Sequence, residues 1–136
     1  MSHEHNAPVL GRASQAMSGQ RLPTGTAIES VRDAVEGWEG VTTQSHRFGG
    51  IEFRIGRREL GHLHRSFADL PFPRQLRNEL VAAGRAKPHH VLPDSGWVTV
   101  PMRTAAEVDN VIDLFRQSYE RAMKPSVLAE SVDEER

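Results

Sequence analysis

Ile51-Glu52-Phe53-Arg54-Ile55-Gly56-Arg57-Arg58-Glu59-Leu60-Gly61-His62-Leu63-His64 is the stretch on which the fold turns. Ile51, Phe53 and Ile55 alternate with Glu52 and Arg54. This is the period of a strand with one apolar and one polar face. Gly56-Arg57 makes a short turn, and residues 58–64 fold back as the second arm of a hairpin. Consecutive strands with tight turns pair antiparallel, and such a sheet needs one face covered.

Upstream, Val41 to Phe48 is rich in Val, Thr and Phe and predicts another strand, closed by Gly49-Gly50. Before it, Ile28, Val31 and Val35 recur at helical spacing from Thr26, and Gly37 stops the run. Downstream, Pro71-Phe72-Pro73 ends the extended region, with Pro73 at the first position of a helix. Leu76 and Leu80 mark its buried side, and Gly84 ends it. Residues 89–92 and 97–102 predict two further strands across the turn Pro93-Asp94-Ser95-Gly96. Thr104-Ala105-Ala106-Glu107 is a capping box. It opens a helix with Val108, Val111, Ile112, Phe115, Tyr119 and Met123 on one stripe. The expected order is α-β-β-β-α-β-β-α, an α+β domain whose antiparallel sheet of about five strands is covered by helices.

The 136 residues suit one domain, expected over residues 25–124. Residues 1–24 lack apolar periodicity and read as a disordered segment. Residues 125–136 read as a flexible, solvated tail. Neither end is expected to contribute core. The 17 basic and 18 acidic residues nearly cancel, which argues against a nucleic-acid or anionic-membrane partner. There is no cysteine, so thiolate metal sites are excluded. No apolar run is long enough to span a bilayer, and Met1-Ser2-His3-Glu4-His5 lacks the apolar core of a signal peptide, so the expected compartment is the cytoplasm. Oligomeric state is not legible.

Five of the seven histidines lie between His46 and His90. On a regular strand Leu60, His62 and His64 share one face, and Glu59, Gly61 and Leu63 the other. His62 and His64 are expected to cluster with His89 or His90. Gly61 would let a ligand or another backbone come close. Against this stands a plainer reading, in which the histidines line a solvated face and need one hydrogen bond each. Glu59 and Asp69 are the nearby carboxylates, each able to orient a histidine or act as a base. Glu59 joins His62 only at a bulge or a sheet edge. Its plain alternative is an ion pair with Arg54, Arg57 or Arg58; that of Asp69 is a helix cap. Trp97 reads either as core or as a stacking platform. Arg58, His90, Trp97 and Asp69 are the candidate ligand-binding residues. No cofactor is expected, and the protein is expected to fold without a metal, though three imidazoles could hold a catalytic ion weakly.

The run from Arg58 to His64 resembles the Arg-Glu-Ile-Ala-His-Met-His run of fungal luciferases. Gly84, His89 and Trp97 fall at matching spacings, as do Arg103, Glu107, Val111 and Ser118 in the last helix. The chain is thereby similar to the luciferase-domain family over roughly residues 50–123. His90 and the stretch from Ala68 to Pro73 are not shared, nor is the membrane-anchoring segment of the fungal enzymes. The resemblance implies an oxygenase-like site at Glu59, His62, His64 and His89, with no flavin or nucleotide. A histidine or carboxylate base would deprotonate a small enolisable, pyrone-like substrate, and the anion would meet oxygen directly. The alternative is a non-catalytic module that binds a small molecule or a partner.

Overall fold

The computed structural model describes residues 19–124 except 24, 47 and 48. In chain order the elements are α1 (Thr26–Glu36), β1 (Val41–His46), β2 (Gly50–Ile55), β3 (Arg58–Leu63), β4 (Phe67–Pro71), α2 (Arg74–Ala82), β5 (Lys87–Pro88), β6 (Trp97–Pro101) and α3 (Ala105–Ala122). The six strands form one antiparallel sheet in the order β1-β2-β3-β4-β6-β5. The α+β class and the antiparallel sheet expected from the sequence are present.

Alternation builds the core. Phe53, Leu60 and Leu63 are fully buried, as are Ala68 and Leu70 of β4 and Val98 and Val100 of β6. Onto them pack Val31 and Val35 of α1 and Val111, Leu114 and Phe115 of α3. The Phe53 and Phe115 rings meet edge-on, 5.3 Å between centroids. Thr104 Oγ1 accepts the Glu107 N–H (3.1 Å), and Glu107 Oε1 accepts the Arg103 N–H (2.7 Å), closing the start of α3.

Four expectations are corrected. First, residues 67–71 form a strand that Pro71 and Pro73 obscured. Pro71 is tolerated because it is the strand's last residue. Second, residues 89–92 are not a strand. His89 Nδ1 accepts the N–H groups of Val91 (3.1 Å) and Leu92 (3.0 Å), and this local bonding curls the chain off the sheet after Pro88. Third, Met123 lies beyond α3 and is 52% exposed rather than core. Fourth, residues 21 and 22 do dock. Leu22 N–H donates to the Arg103 carbonyl (2.8 Å), Arg21 bridges to Thr104, and Leu22 packs on the core. Residues 1–18 and 125–136, read as segments without core, lie outside the described residues, as do residues 47 and 48 at the end of the expected Val41–Phe48 strand.

Candidate functional site

The polar side of the sheet is shaped by an irregularity in β3. Phe53 pairs with Gly61, but Arg54 pairs with Glu59, so one residue is extra between Glu59 and Gly61. This is a β-bulge, and it resets which way side chains point. Leu60 and Leu63 both reach the core, correcting the expectation that Leu60 shares a face with His62. Glu59 and His62 share the opposite face instead. Glu59 Oε2 lies 2.6 Å from His62 Nδ1. Gly61 makes this possible at φ 152°. A Cβ there would stand 2.8 Å from a Phe115 ring carbon and 2.9 Å from the Asp69 carbonyl oxygen. The close backbone approach expected at Gly61 is therefore that of β4.

Asp69 stands opposite His62 across the β3–β4 ladder and is 1% exposed. Four imidazole Nε2 atoms converge on its Oδ2: His62, His64 and His90 at 3.2 Å and His89 at 3.5 Å. Its other oxygen accepts the Thr99 hydroxyl at 2.7 Å. Rings brace the cluster. His64 stacks on Phe67 at 4.4 Å, His89 on His90 at 4.4 Å, and Trp97 lies 5.4 Å from His62 and 6.0 Å from His89. The histidines expected to cluster do so, on the polar side of the sheet.

Electrostatics follow from this crowding. Burial opposes charge on Asp69. Hydrogen bonds from His62, Thr99 and His90, with the field of His89, outweigh it and hold the carboxyl well below the usual carboxylate range. Burial also opposes charge on His62. Its hydrogen bonds to Asp69 and Glu59, and the charges of both, push its pKa up to about 9. For His89 burial wins. The attraction of Asp69 is offset by repulsion from His90 and His62, and its pKa is lowered. Two triads that share Asp69 have ligand atoms close enough together to hold a metal ion: His62, His64 and Asp69, or Asp69, His89 and His90.

Beside the cluster lies an open groove of about 1440 Å3. Glu59 and Trp97 stand on the boundary between groove and histidines, and Arg57, Arg58, Arg74 and Arg121 line the groove. Trp97 is half-buried there rather than core. Arg121 Nε is buried without a hydrogen-bond partner. No histidine is among the groove's lining residues.

Residues 57–118 match the family model described as Luciferase domain. Over that span the chain matches a luciferase domain. The matched span holds Glu59, His62, His64, Asp69, His89, His90 and Thr99, so the whole polar cluster lies within it. The helix residues that resemble the family have structural work in the luciferase domain: Glu107 closes the helix start, Val111 is core, and Ser118 Oγ donates to the Leu60 carbonyl at the bulge (2.9 Å). No curated protein and no solved structure matches the chain. Among the described residues, no helix is long and apolar enough to cross a membrane.

Sequence reasoning named Asp69 but gave it no central place, and it did not name Thr99. The signals were there. Phe67-Ala68-Asp69-Leu70-Pro71 and Trp97-Val98-Thr99-Val100 each alternate apolar core residues with residues on the polar side.

Proposed function

We propose that the luciferase domain is a small oxygenase-like enzyme acting on an enolisable, pyrone-like substrate bound in the groove, with Glu59 as the proton acceptor. The observation that carries this reading is the position of Glu59. It lines the groove and bonds to the buried His62 (2.6 Å), so it connects a substrate to the cluster. A general base must be within hydrogen-bond reach of the proton it takes. His62 is flanked by two carboxylates and suits the role of holding Glu59 rather than accepting the proton itself. Four arginines line the groove against two glutamates, which favours a substrate that becomes an anion. Loss of the enol proton to Glu59 leaves an enolate, whose carbon then reacts with molecular oxygen. Trp97 offers its ring at the edge of the groove as a stacking surface for a planar substrate.

The test is oxygen uptake with a hydroxylated pyrone. Wild-type protein is expected to consume oxygen with the substrate, and Glu59→Gln to lower the rate roughly 100-fold or more, the usual weight of a general base. Circular dichroism checks that the variant is folded. Saturable quenching of Trp97 fluorescence by the pyrone, without oxygen uptake, would favour the non-catalytic binding module instead.

A further inference from the structure

We infer that His62, His64 and Asp69 form a binding site for one redox-active divalent metal ion of the iron(II) class. Donor spacing is the first ground. Bonds from nitrogen or oxygen to a first-row ion are about 2.0–2.2 Å, so neighbouring ligands of one ion lie about 3.0–3.5 Å apart. Both imidazole Nε2 atoms stand 3.2 Å from Asp69 Oδ2, and all three donor atoms lie within 4.8 Å of one another. The site is built on the scaffold: Asp69 faces His62 across the ladder, and the His64 ring is held on Phe67.

Hydrogen bonding decides between the two triads. An imidazole nitrogen ligates through its lone pair, with the other nitrogen carrying the proton. Glu59, as a carboxylate, only accepts, so His62 Nδ1 keeps a proton, and Nε2, which donates to Asp69 in the metal-free protein, is the atom whose proton an ion displaces. Carboxylate, imidazole and metal in line is the usual way a ligating histidine is oriented. His89 is arranged the opposite way. Its Nδ1 accepts two backbone N–H groups, so Nε2 carries the ring's single proton and could ligate only if those two bonds were given up. The triad of Asp69, His89 and His90 therefore lacks one arm. His89 and His90 remain as hydrogen-bonding neighbours of Asp69.

Two histidines and one carboxylate leave coordination positions open, the set typical of non-haem iron that binds oxygen. The inference shares its residues with the enzymatic reading above but concerns occupancy rather than turnover. A binding measurement can therefore fail while oxygen uptake succeeds, and the reverse.

The experiment uses the full-length chain carrying His3→Ala and His5→Ala, so that terminal imidazoles do not compete. After stripping with a chelator, it is titrated with iron(II) under anaerobic calorimetry and with cobalt(II) by visible absorption. One equivalent per chain is expected. His64→Ala is expected to weaken binding roughly 100-fold or more, and Glu59→Gln about 10–100-fold, the usual effect of losing a ligand's orienting partner. His89→Asn should weaken binding less than His64→Ala does, because it removes a partner of Asp69 and not a ligand. Asp69→Asn should abolish binding, and His64→Ala decides the matter if that variant fails to fold. The inference is overturned by the absence of saturable binding up to millimolar ion, or by loss of binding in His89→Asn with His64→Ala unaffected.

Discussion

The two sides of the central strands solve opposite problems with neighbouring residues. On one side Leu60, Leu63, Ala68 and Leu70 are fully buried beneath the helices. Each adds apolar burial, worth about 1.5–3 kcal/mol for a leucine. On the other side His62 and Asp69 are almost as buried, at 9% and 1% exposure. There burial opposes both charges, and only partners offset it. Phe115 and Gly61 are where the two sides touch. The difference teaches that fold stability resides on the apolar side, and that the polar side is held in place by it.

The comparison is sharpest where a core residue is removed. Phe115→Ala is expected to cost about 3–5 kcal/mol in denaturant unfolding. It should also disturb the cluster, because the ring rests on Gly61. A smaller loss, with the imidazole NMR signals unchanged, would separate the two sides. Gly61→Ala comes next, at about 2–3 kcal/mol, because its Cβ meets both a ring and a backbone carbonyl. If this variant melts like wild type, the bulge is not fixed by close contact. Thr99→Val removes the hydroxyl donor to Asp69 and should cost about 1.5 kcal/mol, read by the same unfolding assay. A value near that of Phe115→Ala would mean that the polar side carries the fold as well. Asp113→Asn sets the lower bound. Asp113 pairs with Arg85 at 2.8 Å on an open surface, and the change should stay within about 0.5 kcal/mol.

Much of this contrast is legible in the chain. The β2–β3 hairpin, α1 and the capped α3 each follow from period and cap residues, because local and tertiary preferences agree there. The polar cluster is legible as histidine spacing alone. What is hidden depends on a single backbone event. Strict alternation sends Glu59 away from His62, and only the bulge at Leu60–Gly61 brings them together. A lone glycine in a strand permits a bulge but does not require one. Strand β4 is masked by Pro71 and Pro73, and with it goes the central position of Asp69. Residues 89–92 look extended because of Val91 and Leu92, yet those two are 66% and 52% exposed at the tip of a loop pinned by His89.

The bulge also gives β3 one residue more than its pairing with β2 uses. Taking out Leu60 would leave Arg54 opposite Glu59 and Phe53 opposite Gly61, and plain alternation would keep Glu59 and His62 on the same side. The loss would fall on the core, which gives up a fully buried leucine. Taking out Leu63 instead would turn His64 toward the core side. Single deletions along this strand should therefore act in two ways: at the extra position they cost stability and spare the register of the site, and three residues later they break the site itself.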